Sequence, residues 1–432
     1  MLRPALAAGV LPLTVLLAAC GTAPAPTTTP APVTTPAPVT TPTSASAPPS
    51  AATVPPSAAP TPSTSATSTP SAAGAGKKAA PREPTCAEVV DAMSLSEQVG
   101  QTIMVAQSST QPSPAGRRAI ERLHLGSVVL LGNSTAGRTP TARLTAGLRD
   151  GVDAVDGVGL LVAADQEGGL VQRLQGPGFD RIPSAEVQSG WSDRTLRRRA
   201  ATWSAQLGKA GIDANLAPVA DVVPRSVGRS NQPIGALRRG YGPQPSVVAK
   251  KTVSVVAGMH DGGTATAVKH FPGLGRVRGN TDTVAVVIDR TTTRRDPLLA
   301  GFRADVEQGT ELVMLSSATY AKIDRKRPAT YSPTVIGDLL RGDLGFTGVV
   351  VSDDLLGRAL ASTSVRSRGV RFLAAGGDLA LVGDIASAAQ VRDGLLGRAR
   401  TDRAFAARVQ QSATRVVQLK STQGRASCRV TR

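Results

Sequence analysis

Five charged side chains lie at the ends of short apolar runs in this sequence, and their types suit acid–base and nucleophilic chemistry. They are Asp165, Lys269, His270, Asp353 and Asp354. Packing alone explains the pattern poorly, because burying a charge is costly unless it is paired. A pocket of carboxylates and cations is typical of glycosidic-bond cleavage. In that reaction one carboxylate attacks the anomeric carbon and a second acid protonates the leaving oxygen.

The sequence lacks the patterns of the main alternative chemistries. Its three histidines, His124, His260 and His270, are far apart and show no paired spacing of the kind that binds metals. It contains neither a nucleophilic-serine elbow nor a phosphate-cradling loop before a helix. We therefore expect neither a metal nor a cofactor at this site.

Short apolar runs recur along the chain and are predicted to be strands. There are eight of them: TIMVA (102–106), GSVVLLG (126–132), GLLVAAD (159–165), DANLAPV (213–219), ATAVKH (265–270), ELVMLSS (311–317), GVVVSDD (348–354) and DLALVG (378–383). Most are separated by segments with the i, i+3, i+4 apolar spacing of helices, such as 194–211 and 332–345. The second of these helices begins with Ser332 and Pro333, a good pair for an N-cap and first turn.

Eight alternations of strand and helix predict a (β/α)₈ barrel, with a doubly wound open sheet as the alternative. Active sites of such barrels form at the carboxyl ends of the strands, so the strand-end residues would share one pocket. Two further groups belong to this set. They are Pro218–Asp221 after the fourth run, and Ser316 with Ser317 after the sixth.

The N-terminal part of the chain differs in kind from the rest. Arg3 and the apolar stretch behind it predict a signal peptide over residues 1–19. This stretch stops at LAAC, the pattern of a bacterial lipobox, so we predict lipidation of Cys20 and a membrane anchor. Residues 20–84 follow as a linker of Pro, Thr, Ser and Ala that cannot bury a core. We expect one catalytic domain over residues 85–432, held at the outer face of the cytoplasmic membrane.

The 432 residues carry a formal net charge of +18, which suits anionic envelope polymers and lipid headgroups. Nucleic acid is not an expected partner, because the chain is predicted to be exported and only 3% of its residues are aromatic. Cys86 and Cys428 bracket the predicted domain. In an exported protein such a pair predicts one disulfide bond, with two unpaired thiols as the alternative.

Three motifs at predicted strand ends resemble one family. DQEGGLVQR (165–173), KHFPGLG (269–275) and GFTGVVVSDDL (345–355) are similar to motifs of the family 3 glycoside hydrolases. Within that family they resemble the bacterial β-N-acetylglucosaminidases that trim peptidoglycan fragments. Two further stretches fit in order and spacing: IGALRRGYG (234–242) and RPATYSPTVIGDLLRGDLGF (327–346). The resemblance covers roughly residues 85–420 and implies a (β/α)₈ fold.

The resemblance also implies residue roles. Asp353, the first aspartate of SDDL, corresponds to the nucleophile of the family, whereas Asp354 is the better candidate for capping the next helix. Substrate-binding roles are implied for Asp165, Arg173, Arg239, Lys269 and His270.

At two positions the match to the family pattern is ambiguous or incomplete. In LRRGYG we choose Arg239 over Arg238 because its spacing to Tyr241 fits the family. Leu170 stands where the family pattern has a further arginine, so one cation at the rim of the site is missing.

The stretch KHFPGLGRVRGNTD (269–282) departs from the family where its proton donor is expected. The family branch reads Lys-His-Phe-Pro-Gly-His-Gly, then four residues, then Asp-Ser-His, and the final histidine is the acid/base. Here Leu274 replaces the first loop histidine, and Asn-Thr-Asp ending at Asp282 replaces the second motif. No histidine follows His270 in the sequence.

Because Asp282 occupies the position of the missing histidine, we hypothesise that Asp282 is the general acid/base. The glycines before it predict a hinge and cover over the site. The alternative is that Asp282 is an ordinary loop residue, and that the enzyme is slow or uses another donor.

Three functions follow from these interpretations. The favoured one is a retaining exo-β-N-acetylglucosaminidase that releases terminal GlcNAc from muropeptides or disaccharide fragments, through a glycosyl ester on Asp353. The second is another β-glycosidase, or a phosphorylase, with the same pocket. The third is a weakly catalytic lipoprotein that binds wall sugars. For each of these we expect a monomer.

Overall fold

The computed structural model describes residues 82–111, 113–150, 152 and 157–431. The predicted signal peptide, Cys20 and all but the last three residues of the predicted linker lie outside these residues. None of the helices in the described part is long and apolar enough to cross a membrane.

The described residues form thirteen strands, and each predicted apolar run overlaps one of them. The strands are β1 (Ile103–Ser108), β2 (Ser127–Leu131), β3 (Leu161–Ala164), β4 (Gln166–Gly168), β5 (Val171–Gln172), β6 (Ala214–Asn215), β7 (Ala265–Phe271), β8 (Ile288–Asp289), β9 (Leu312–Leu315), β10 (Thr319–Tyr320), β11 (Asp324–Pro328), β12 (Val349–Ser352) and β13 (Ala380–Val382).

Eight of these strands form one parallel sheet in the order β12-β9-β7-β6-β3-β2-β1-β13. A parallel bridge between Val351 and Leu379 brings its two outer strands together, so the sheet closes into a barrel. The predicted (β/α)₈ fold is therefore confirmed. Outside the barrel, β4 and β5 form a hairpin, and β8, β10 and β11 form a small sheet.

The barrel is surrounded by helices that alternate with its strands. They are α1 (Cys86–Ala92), α2 (Leu95–Gln101), α3 (Pro114–Arg122), α4 (Arg138–Arg149), α5 (Ala185–Gln188), α6 (Asp193–Lys209), α7 (Pro245–Asp261), α8 (Ala300–Gln308), α9 (Val365–Ala374), α10 (Ile385–Thr401), α11 (Arg403–Thr422) and a π-helix (Thr334–Asp343). The residue predicted to cap this π-helix, Ser332, lies one position before the observed N-cap, Pro333. The Ser332 hydroxyl still accepts a hydrogen bond from the Val335 backbone N–H at 3.2 Å.

Alternate side chains of each strand point to opposite faces, and both faces of the barrel wall are buried. On β12, Val349 and Val351 face the interior of the barrel, while Val350 packs outward against the helices. The interior also holds several alanines, including Ala163 and Ala267. This apolar filling makes the barrel a packed core, so a ligand can enter only at the ends of the strands.

The two ends of the folded region are joined covalently. Cys86 and Cys428 form a disulfide bond, with their Cα atoms 4.9 Å apart. The Cys86 backbone N–H also donates to the Arg429 carbonyl at 3.1 Å. The pairing expected from the sequence is therefore present, and it fixes α1 against the C-terminal segment.

A lysine is buried on α11, and we expect it to give the protein a pH-dependent stability. Lys420 is fully buried and donates one hydrogen bond to Gln101 Oε1 at 2.6 Å. Burial lowers the pKa of Lys420 to about 7, although Asp213 opposes the shift. Between pH 7 and about 10.5 the unfolded chain therefore binds more protons than the folded protein, so stability rises with pH by up to about 1.4 kcal/mol per unit.

Urea unfolding of Lys420→Met and wild type between pH 6.5 and 9.5 measures this effect. The variant should lack this rise. The difference between its free energy of unfolding and that of wild type (variant minus wild type) should therefore be highest near pH 7 and decrease toward pH 9.5. Lys250→Met, which removes an exposed lysine of α7, serves as the control. A difference between Lys420→Met and wild type that does not change with pH would show that Lys420 keeps its ordinary pKa.

Candidate active site

The residues predicted for the site gather around one cavity of about 270 Å³ at the carboxyl ends of the barrel strands. Asp165 follows β3, Lys269 and His270 lie in the last three residues of β7, and Asp353 follows β12. Arg173, Arg239 and Asp282 reach the same cavity from loops. The structure thus brings all seven predicted catalytic and substrate-binding residues together, while their individual roles stay predictions.

Asp353 is positioned directly by the barrel wall. Its backbone N–H donates to the Leu315 carbonyl of the neighbouring strand at 3.1 Å, and its Oδ1 accepts from the Asp354 N–H at 2.9 Å. Burial raises the pKa of Asp353 to about 6, and the nearby Asp282 carboxylate adds to the rise, while His270 and Lys269 oppose it. A rigid carboxylate that ionises near neutral pH suits nucleophilic attack.

Asp354 has a different environment from Asp353. Its Oδ1 accepts hydrogen bonds from the backbone N–H groups of Leu356 at 2.9 Å and Gly383 at 3.0 Å. These bonds tie the turn after β12 to the end of β13. The expected helix-capping role of Asp354 is wrong, because the next helical turn, Arg358–Leu360, has Gly357 at its N-cap and no side-chain cap.

A buried ion-pair network supports the floor of the cavity. Lys269 Nζ donates to Asp165 and also lies 2.7 Å from Glu167 Oε1. Although burial would lower the pKa of Lys269, Asp165 and Glu167 outweigh it and raise the pKa. Lys269 is therefore a fixed cation, and it holds the Asp165 carboxylate at the cavity wall.

Glu167 is a central member of this network that the sequence analysis did not single out. The Arg239 guanidinium forms a bidentate ion pair with the Glu167 carboxylate, with Nε–Oε2 at 2.9 Å and Nη2–Oε1 at 2.8 Å. Burial alone would raise its pKa, but Arg239 and Lys269 hold the pKa of Glu167 well below its usual range. The sequence did contain one indication of this role: Glu167 follows Asp165 by two residues in DQEGG. In an extended chain the side chains of residues i and i+2 point to the same face.

The choice of Arg239 over Arg238 agrees with the geometry. Arg239 is mostly buried and lines the cavity. Burial alone would lower the pKa of Arg239, but the Glu167 carboxylate outweighs this effect and raises the pKa. Arg238 is exposed, adopts a positive φ of 57° and lies 3.6 Å from Glu186 outside the cavity.

His270 is oriented by a buried carboxylate. Its Nδ1 lies 2.7 Å from Asp221 Oδ2, and Asp221 is fully buried. Because an ionised carboxylate only accepts hydrogen bonds, this contact places the Nδ1 proton on the histidine and leaves Nε2 toward Arg239, 3.4 Å away. Asp221 is among the predicted strand-end residues, but its pairing with His270 was not foreseen.

The glycine-rich segment after β7 differs from the predicted hinge and cover, because buried side chains bind its backbone. Asp221 Oδ1 accepts from the Leu274 N–H at 2.6 Å, and Asn231 Nδ2 donates to the carbonyls of Leu274 and Val277, both at 2.7 Å. The Tyr320 hydroxyl donates to the Gly273 carbonyl at 2.8 Å. This part of the loop belongs to the framework of the site.

Asp282 lies beyond the anchored segment, with an exposed side chain at the cavity. Asn280 Oδ1 accepts a hydrogen bond from the Asp282 N–H at 3.0 Å, and the Asp282 carbonyl accepts from the Arg358 N–H at 3.1 Å. These contacts fix the Asp282 backbone on the segment that follows β12. The site thus has a shielded carboxylate at Asp353 and a solvent-accessible one at Asp282.

Comparison with known proteins identifies the family. Residues 94–419 match the family described as "Glycosyl hydrolase family 3 N terminal domain". The chain belongs to glycosyl hydrolase family 3. A Beta-hexosaminidase of Stenotrophomonas maltophilia (strain K279a) is 32% identical over 288 residues, which cover 65% of this chain and 82% of that protein.

Two solved structures agree with this assignment. The crystal structure of a Beta-N-acetylhexosaminidase from Beutenbergia cavernae has a TM-score of 0.75 and 41% identity, covering 76% of this chain and 99% of that one. A family 3 beta-N-acetylglucosaminidase from Paenibacillus sp. str. FPU-7 has a TM-score of 0.70 and 31% identity, covering 79% and 65% of the two chains. The resemblance seen in the motifs is confirmed, and the protein is a glycoside hydrolase.

The pKa of Asp353 makes a prediction for the pH dependence of this family 3 hydrolase. A nucleophilic carboxylate must be ionised, so kcat/KM for an aryl glycoside should fall about tenfold per pH unit below about 6. Asp282→Asn removes a negative charge that raises the pKa of Asp353, so the acid limb should move to lower pH. Asp338→Asn, which changes an exposed aspartate of the π-helix, should leave the limb in place. An unmoved limb in Asp282→Asn would show that the two carboxylates do not interact.

Proposed function

We propose that this family 3 hydrolase is a retaining exo-β-N-acetylglucosaminidase acting on peptidoglycan fragments. In the proposed reaction an ionised Asp353 attacks the anomeric carbon, and Asp282, which takes up a proton when the substrate binds, protonates the leaving oxygen. Asp282 then deprotonates a water that releases GlcNAc from the resulting glycosyl ester. The single observation that carries this proposal is the cavity that Asp353 and Asp282 share, in which one carboxylate is shielded and the other is accessible to solvent.

The size of the cavity supports cleavage at the end of a sugar chain. About 270 Å³ is slightly below the roughly 300–1,000 Å³ of sites that enclose drug-sized ligands. A cavity of this size has space for about one sugar ring. Lys269, His270 and Asp165 line it, and charged and polar side chains of these types bind sugar hydroxyls by hydrogen bonds. The proposal therefore assigns the cavity to one terminal residue of the substrate.

The relatives support the choice of an amino sugar. The relatives and solved structures described above bear the names Beta-hexosaminidase, Beta-N-acetylhexosaminidase and beta-N-acetylglucosaminidase. From those names and from the matching motifs, we infer that the substrate of this enzyme contains GlcNAc.

The cell envelope is the proposed place of action. The predicted lipobox at Cys20 would leave the enzyme anchored by lipid, and the linker would hold the domain away from the membrane. A net charge of +18 favours association with anionic wall polymers. In this setting the enzyme would remove GlcNAc from fragments released during wall turnover.

The test is release of GlcNAc from purified GlcNAc–MurNAc by the wild-type enzyme, beside aryl β-glycosides of GlcNAc and glucose, each with and without phosphate. We expect hydrolysis of the disaccharide and of the aryl GlcNAc, little action on the glucoside, and no GlcNAc 1-phosphate.

Each other outcome selects a different function. A preference for the glucoside would make the enzyme another β-glycosidase, and GlcNAc 1-phosphate would make it a phosphorylase. Binding of the disaccharide without turnover of either GlcNAc substrate would indicate a weakly catalytic sugar-binding lipoprotein. Any of these results would reject the proposed function.

A further inference from the structure

A second, larger groove lies beside the catalytic cavity, between α3 and α4. Its volume is about 670 Å³, against about 270 Å³ for the catalytic cavity. It opens beyond the carboxyl ends of β1 and β2, on the same end of the barrel as Asp353. Neither the nucleophile nor any residue of the buried ion-pair network lines it, so the proposed reaction leaves this groove unused.

The lining of the groove suits an anionic ligand with an apolar part. Leu144 and Leu148 supply apolar surface, and the side chains of Arg117 and Arg143 add two positive charges. None of the described residues that line the groove is acidic. Arg117 donates one hydrogen bond to the Asp150 carbonyl at 2.7 Å, while Arg143 is exposed and has no ion pair within the described ranges.

A buried hydroxyl at the groove points to a missing hydrogen-bond partner. Ser109 lines the groove and is only 7% exposed, and its Oγ has no hydrogen bond to any described residue. Buried side-chain hydroxyls are nearly always paired, because leaving one unpaired costs roughly 1–3 kcal/mol. A ligand in the groove would supply the partner that the protein does not.

The groove and the catalytic cavity share one side-chain contact. Arg173 lines the catalytic cavity, and its Nη1 donates to Oδ1 of Asn133, which lines the groove, at 3.0 Å. The Arg173 Nε is also buried and has no partner among the described residues. A substrate whose terminal sugar occupies the cavity could thus extend past Arg173 into the groove.

We propose that the groove between α3 and α4 binds the carboxylate-bearing peptide of a peptide-substituted aglycone. This inference rests on the proposed function, since it describes the part of the substrate beyond the scissile bond. The peptide backbone would pair with Ser109, its aliphatic parts would cover Leu144 and Leu148, and its carboxylates would meet Arg117 and Arg143. The enzyme therefore prefers fragments that still carry their peptide over peptide-free disaccharides.

Gly147 allows the groove to be filled without disturbing the core. It lies on α4 and lines the groove, and a Cβ added there meets no atom within 4 Å. Gly147→Trp should therefore block the groove. Gly397 on α10 is likewise exposed with free space around an added Cβ, and it does not line the groove, so Gly397→Trp is a matched control.

The measured quantity is the ratio of kcat/KM for GlcNAc–MurNAc-peptide to kcat/KM for GlcNAc–MurNAc. This ratio is insensitive to a loss of folded enzyme, because such a loss lowers both values alike. We expect a ratio of about ten in wild type and in Gly397→Trp, which corresponds to the effect of one charge-assisted hydrogen bond. It should fall to near one in Gly147→Trp and in Arg143→Glu, and also for wild type when the peptide carboxyls are amidated.

Three results would overturn the inference: a wild-type ratio near one, an unchanged ratio in Gly147→Trp, or an unchanged ratio with the amidated peptide. Hydrolysis of an aryl GlcNAc by wild type separates the two proposals. If it occurs without a peptide preference, the groove assignment fails alone, whereas its absence would reject the proposed function itself.

Discussion

Replacing Asp353 with asparagine will lower kcat/KM for GlcNAc release by on the order of 10⁴-fold or more, the largest effect expected from any single change in the site. The amide has the same shape as the carboxylate but no charge and little nucleophilicity, so no glycosyl ester can form. The backbone of Asp353 is held by the neighbouring strand through the Leu315 carbonyl. The fold should therefore survive the change.

Asp354→Asn is the matched control for this prediction. The Asp354 carboxylate accepts hydrogen bonds from two backbone N–H groups, and an amide oxygen can accept the same bonds. We expect its kcat/KM to fall by less than about tenfold, because only the strength of these two hydrogen bonds changes. A loss in Asp354→Asn as large as that in Asp353→Asn would mean that the wrong aspartate has been chosen as nucleophile.

Asp282→Asn will have an effect that depends on the leaving group. For GlcNAc–MurNAc, whose departing oxygen needs a proton, we expect kcat/KM to fall by about 10²- to 10³-fold. For an aryl GlcNAc with an acidic phenol, glycosylation needs no proton donor, so the loss should be about tenfold or less. The steady-state kinetics of the two substrates, measured side by side, give the two losses.

The same comparison distinguishes Asp282 from a residue that only shapes the loop. Asn280 binds the Asp282 backbone through its side chain, so Asn280→Ala loosens the loop without removing a carboxylate. That control should affect both substrates by similar factors. If Asp282→Asn also lowers both substrates equally, Asp282 is an ordinary loop residue and the proton comes from another group.

The fold could be predicted from sequence because each strand carries its own signal. Both faces of the barrel wall are buried, so the strands of the barrel lie in apolar runs, and GVVVSDD illustrates this with buried Val349, Val350 and Val351. The run DANLAPV was the weakest case, since its strand covers only Ala214–Asn215. Pro218 lacks the N–H needed to continue the ladder there, and pairing resumes at Val219 with Lys269.

The candidate site was predictable where a strand end placed the residue and less so where distant residues form pairs. Asp353, Lys269 and Asp165 follow directly from their strands. Glu167 was missed because its importance comes from Arg239 and Lys269, which are 72 and 102 positions away along the chain, and such pairing leaves no local pattern.

The anchored loop shows a further limit of sequence analysis. Its glycines suggested a hinge, but the residues that hold it, Asp221, Asn231 and Tyr320, come from other segments of the chain. A glycine-rich stretch shows that unusual backbone angles are allowed. Whether the stretch is held in place depends on buried donors and acceptors that only the folded structure brings together.

The most direct test of the account is to identify the residue that carries the sugar in the covalent intermediate. An activated GlcNAc glycoside with fluorine at C5 slows both steps, and its good leaving group lets the glycosyl-enzyme accumulate for peptide mapping by mass spectrometry. We predict one adduct, on the side chain of Asp353, in the wild-type enzyme. An adduct on Asp282 or on any other residue would contradict it.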